Sequence, residues 1–243
     1  MNLTDNTAQD VSALLRAKAE RIEQTHAIIP ATTALLVIDM QHAFLDPGAS
    51  LEVPRGRDIL PNIARLVDAC RAAGIRVAFT EFVYSPLIAC LRGDPFGPEH
   101  LPAPAGAATG FGRPSSNCLI GAEPGTGAES SATVDDLAPR DDELVIPAHT
   151  YDKLYGTPLE LALRTWGIDR MIVTGVTTDV CVNSTILSAA NRNYRVIAVT
   201  DGMATIHDHI HQACLDIWRN KFARLATTDQ LVAEISSRSY VPR

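Results

Sequence analysis

The sequence predicts a three-layer α/β/α domain, doubly wound around a mostly parallel sheet of about six strands. Three observations carry this. Apolar runs without alternation, such as Ala34-Leu-Leu-Val-Ile38 and Met171-Ile-Val173, have the pattern of strands buried on both faces. These runs alternate with helical segments of about ten to fifteen residues, which implies right-handed βαβ units. Two residues of chemical interest, Asp39 and Cys181, stand just past the ends of such runs, where α/β folds place their ligands.

Taken in order, Val11, Leu14, Leu15, Ala19 and Ile22 follow helical spacing between charged residues, so residues 1–30 read as a helical arm before a domain over 31–243. Such an arm packs on its own domain or on a neighbouring subunit, and its sequence does not choose. The first strand, Ala34 to Ile38, ends at Asp39. Asp58 to Ala73 is a helix with Pro61 in its first turn and Gly74 beyond its end. Ile75 to Thr80 is the second strand. Ser85 to Asp142 holds most of the prolines and many glycines, and a segment of that length with little periodicity is expected to wall a substrate pocket. Glu143 to Ile146 is a third strand, and Thr157 with Pro158 opens a helix closed by Gly167. Arg195 to Val199 and Ala223 to Ala226 are further strands, with helices from His207 to Lys221 and from Thr227 onward.

The composition narrows the classes of function. Of 243 residues, 46% are hydrophobic and 20% charged, which suits a globular enzyme with a substantial core. A formal charge of −7 with no basic stripe argues against nucleic acid. No apolar run approaches membrane-spanning length, no leader pattern opens the chain, and the 5 cysteines include no CxxC pair. Reduced thiols and a cytoplasmic location are the expectation.

The stretch Met171 to Thr185 organises the rest. Gly175 ends the apolar run, Thr177, Thr178 and Asp179 are N-cap types, and Val180, Val182, Ile186 and Ala190 then recur at helical spacing. A helix starting near Cys181 would set backbone N–H groups and its positive end beside the sulfur, favouring thiolate. The competing reading is a small buried hydrophobe. For Asp39 it is an N-cap beyond a strand.

Leu36-Val-Ile-Asp-Met-Gln41, Tyr155-Gly-Thr-Pro-Leu-Glu160 and Thr174-Gly-Val-Thr-Thr-Asp-Val-Cys-Val182, in this order, resemble the isochorismatase-like cysteine hydrolases over roughly residues 32–235. The resemblance implies an Asp–Lys–Cys triad without a cofactor. Asp39 would be the general acid–base group and Cys181 the nucleophile that forms a thioester with a small amide, carbamoyl or ureido compound. It further implies a cis peptide between Val176 and Thr177, an oxyanion hole from the amides of Thr177 and Cys181, and a homo-oligomer, tetramer or dimer.

The lysine is where the chain departs. Relatives carry it in a pattern like Ile-Pro-Lys, nine residues before the Thr that opens the next helix, and that count from Thr157 lands on Ala148. An ammonium lost there would impair catalysis. Three explanations stand: an engineered Lys-to-Ala change, which is preferred; a natural relative without the lysine; or replacement by Lys153 or His149. A solvated Lys153 is the plainer expectation. The second-strand region lacks the histidines that bind zinc in nicotinamidases of this family, so no metal is expected, and His207, His209 and His211 read as structural or surface residues. Gln41, Phe44, Phe82, Tyr151 and Tyr155 are candidates to line the pocket, and Arg113 to meet a carboxylate. The alternatives to an amidohydrolase are a vinyl-ether hydrolase of the isochorismatase type, and a non-catalytic binding or assembly protein on the same fold.

Overall fold

The computed structural model describes residues 3–85, 87–88 and 117–238, with side chains from residue 11 onward. Six strands, β1 (Thr33–Ile38), β2 (Arg76–Phe82), β3 (Leu144–Ala148), β4 (Arg170–Val176), β5 (Arg195–Ala204) and β6 (Ala223–Ala226), form one parallel sheet in the order β3-β2-β1-β4-β5-β6. The chain winds outward from β1 to one edge and then from β4 to the other. The direction therefore reverses between β1 and β4, and the crevice beyond their carboxyl ends is the position at which such sheets bind ligands.

The helices are α1 (Leu3–Thr25), α2 (His42–Leu45), α3 (Gly56–Ala72), α4 (Leu159–Thr165), α5 (Asn183–Asn191), α6 (Asp208–Lys221) and α7 (Thr228–Arg238). Alternate residues of each strand point to opposite faces, and the core divides accordingly. Leu35 and Val37 of β1 pack with Ile63 and Leu66 of α3 and Leu231 of α7. Leu36 and Ile38 pack on the other side with Leu163 of α4, Ile186 of α5 and Trp218 of α6. This is the doubly wound three-layer arrangement that the unbroken apolar runs predict. Among the described residues no helix is long and apolar enough to cross a membrane.

The strands run further than their apolar cores. β3 continues through Pro147, which its edge position tolerates because one side of that strand has no ladder partner. β4 continues through Gly175, which sits at φ +122° in register with Ile38 of β1. A Cβ at this position would lie 2.0 Å from the carbonyl oxygen of Ile38, so only glycine fits.

The first helix forms as its periodicity predicts, but its apolar stripe is not buried by this domain. Val11, Leu14 and Leu15 are exposed, Leu14 at 69%. The helix is held mainly at its carboxyl end, where Lys18 donates to the Asn220 carbonyl and Glu23 pairs with Arg224.

Candidate active site

Asp39 is the first residue past β1, with φ +53°, a left-handed conformation that Asp tolerates better than most residues. Its amide donates to the Thr80 carbonyl of β2, and the Thr80 hydroxyl donates to Asp39 Oδ1 at 2.8 Å. The second carboxylate oxygen meets Lys153 Nζ at 2.8 Å, and both side chains are 0% exposed.

Lys153 lies in the turn between β3 and α4. Its ammonium also donates to the Thr150 carbonyl, its amide donates to Thr185 Oγ1, and its carbonyl accepts from Thr157 Oγ1. The same Thr157 hydroxyl accepts from the amide of Leu159 at the start of α4. The expectation of a solvated Lys153 is therefore corrected. Counting along the chain assumed that the ammonium must come from the strand end at Ala148. The turn at 149–158 instead folds Lys153 back over the sheet, so that it reaches the carboxylate from five residues further on. Ala148 is fully buried in register with Phe82 and packs in the same apolar cluster as Cys181. The ammonium that meets Asp39 is thus supplied by Lys153.

Cys181 follows β4. The Val176–Thr177 peptide is cis, and Thr178–Val182 forms a π turn that leads into α5. The cysteine is 5% exposed. Its carbonyl accepts from Thr185 Oγ1 at 2.7 Å. Contacts thus run from Asp39 to Lys153, from Lys153 to Thr185 and from Thr185 to the backbone of Cys181. The π turn is also braced from outside the crevice, where Thr178 bonds His211 Nδ1 at 3.0 Å and Asp179 accepts from Thr205. Burial, and secondarily the charge of Arg55, holds the His211 imidazole below its usual range.

Three of the candidate pocket residues come together. The Phe82 ring stacks on Tyr151 at 5.8 Å, packs against Phe44 at 6.3 Å and lies 5.3 Å below the Lys153 ammonium. Gln41 is fully buried beside this group. Its carboxamide donates to the carbonyls of Phe82 and Ser131 and accepts from the Phe82 amide, so it clamps the wall of the site. Tyr155 is 65% exposed and stands apart from this group. Arg113 lies outside the described residues. Thr80 and Thr185 are the contributors that patterning did not single out; only the Thr80 position, at the end of a strand beside Asp39, carries a local signal.

Fold and site together define a doubly wound α/β protein with a buried acid–ammonium pair at its switch point and a cysteine in the turn after β4. Residues 33–230 match the isochorismatase domain family, and the chain belongs to that family of hydrolases. It is 33% identical over 195 residues to a ureidoacrylate amidohydrolase of Methylobacterium radiotolerans, covering 78% of this chain and 74% of that one. A ureidoacrylate amidohydrolase of Rhizobium rhizogenes is 29% identical over 233 residues, covering 93% and 90%. Among solved structures, a cysteine hydrolase from Pseudomonas syringae superposes with a TM-score of 0.69 at 25% identity, over 88% of this chain and 96% of that one.

Proposed function

We propose that this protein is an active cysteine amidohydrolase that cleaves a C–N bond in a small ureido or carbamoyl compound, with Asp39, Lys153 and Cys181 as its catalytic residues. The observation that carries the reading is the fully buried Asp39–Lys153 pair at the switch point. Burying two charges costs several kcal/mol each, and an apolar pair of similar volume is often as stable, so such a pair is poorly explained by folding alone. In a crevice beside a cysteine its use is chemical.

In the proposed reaction Cys181 gives its proton to Asp39 and its sulfur attacks the carbonyl carbon. The amides of Thr177 and Cys181 receive the developing oxyanion. As the C–N bond breaks, Asp39 passes the proton to the leaving nitrogen, which departs as ammonia or an amine. Asp39 then takes a proton from water, whose oxygen displaces the sulfur from the thioester, and returns that proton to the departing sulfur, which restores the thiol and the carboxylate. Lys153 keeps the carboxylate oriented and balanced in charge. Phe44, Phe82 and Tyr151 supply an apolar wall that a planar ureido or amide group fits. The ureidoacrylate amidohydrolases among the relatives support this substrate class.

The test is ammonia release from a panel of ureido, carbamoyl and simple amide compounds. Turnover is expected to be highest with a ureido or carbamoyl member and to vanish in Cys181→Ser. Activity retained in that variant would refute the thiol mechanism. We also propose that the exposed stripe of Val11, Leu14 and Leu15 is covered by a second copy of the chain.

A further inference from the structure

We infer that Thr185 is a positioning residue that sets the placement of Lys153 relative to Cys181, an inference that rests on the reading of the site given above. The sheet order is β3-β2-β1-β4, so the turn that carries Lys153 leaves an edge strand while Cys181 follows a strand three places away. No ladder connects the two segments directly. Thr185 does. Its side chain is fully buried one turn into the cysteine's helix, and its oxygen is 2.7 Å from the Cys181 carbonyl and 3.1 Å from the Lys153 amide nitrogen.

The chemistry of a hydroxyl assigns the roles. It has one proton and two lone pairs. The proton goes to the Cys181 carbonyl, since the other carbonyl within reach, that of Tyr151, is 3.4 Å away. A lone pair then accepts from Lys153. Bonding back to the carbonyl one turn earlier is a common habit of helical threonines and by itself signals nothing. The amide received from a residue 32 positions away does. One oxygen thereby joins the backbones of two catalytic residues, and the Lys153 ammonium is further fixed by the Thr150 carbonyl. Only a residue with a donor and an acceptor on the same atom performs both tasks.

Thr185→Val keeps the shape, removes the hydroxyl and leaves the Lys153 amide without its acceptor. Displacing catalytic groups by about 1 Å typically lowers turnover by about 100-fold. The expectation is a fall in kcat of about 10- to 100-fold with little change in KM. The pH dependence of Cys181 alkylation by iodoacetamide is expected to move in parallel, a signature that loss of packing alone would not produce. Thr185→Ser restores both. Thr185→Cys, which keeps the size but accepts poorly, loses kcat as the valine does and covers the case in which the valine variant fails to fold. Wild-type kcat and an unshifted alkylation profile in either folded variant would overturn the inference while leaving the site reading intact. A wild-type protein that releases no ammonia from any ureido or carbamoyl compound would overturn the site reading itself.

Discussion

At Lys153 an ammonium carried by a turn, not by a strand end, meets the carboxylate of Asp39. The residue is 0% exposed and pairs with an equally buried Asp39, so its removal has two separable consequences. Lys153→Met leaves an unpaired buried carboxylate, which costs about 3–5 kcal/mol when a partner is removed and is read from urea denaturation. The same change is expected to lower kcat by at least about 100-fold, the scale of a lost acid–base partner. Lys153→Met with Asp39→Asn should recover much of the stability and none of the activity, separating the folding role from the chemical one. Ala148→Lys is expected to give no gain, since it forces a second cation into a closed apolar cluster. A rise in turnover would restore the idea of a missing lysine. Asp39 and Cys181 were legible because each follows an apolar strand. Lys153 was ambiguous because it depends on how a turn folds, and a turn of Thr, Asp, Tyr and Gly leaves no periodic trace.

At the scale of elements, β1 and β4 pair directly, with Asp39 just past one and Cys181 in the turn after the other, and the contact between their ends depends on one residue. Gly175 combines a left-handed φ with an absent Cβ that would strike the Ile38 carbonyl. Gly175→Ala is expected to unfold the protein or lower its Tm by more than about 10 °C, given that 1 kcal/mol moves a domain of this size by about 2–4 °C. Thermal melting followed by circular dichroism measures it, and a Tm within a few degrees of wild type would contradict the contact. The apolar centres of five of the six strands could be read from unbroken hydrophobic runs, β6 being interrupted by Arg224, but the carboxyl ends of β2, β3, β4 and β5 could not. β4 passes through a glycine and β3 through a proline, signals that ordinarily end a strand and here mark a close approach and a sheet edge. The π turn at Thr178–Val182 was likewise hidden, because its N-cap residues announce an ordinary helix start.

At the scale of the whole molecule, two half-buried imidazoles contribute to how the fold responds to acid. Burial, the largest influence on each, holds His26 and His211 below their ordinary value of 6.5. The folded state therefore binds fewer protons than the unfolded chain between the depressed values and 6.5, so stability is complete above that pH and declines as pH falls through the window. Urea midpoints at pH 7.5 and 5.5 should show the decline, and His211→Gln should lessen it; equal midpoints would contradict the burial. The exposed stripe of the first helix predicts a homo-oligomer by light scattering, dissociated by Leu14→Lys with Leu15→Lys, whereas a monomeric wild-type protein would refute a covering second copy. The account as a whole is tested most directly by the mass of the intact protein, quenched in acid during turnover of a ureido or carbamoyl substrate. It predicts an acyl adduct that maps to Cys181, absent in Cys181→Ser and strongly reduced in Lys153→Met. Turnover with no adduct on that cysteine, or an undiminished adduct without the lysine, would contradict it.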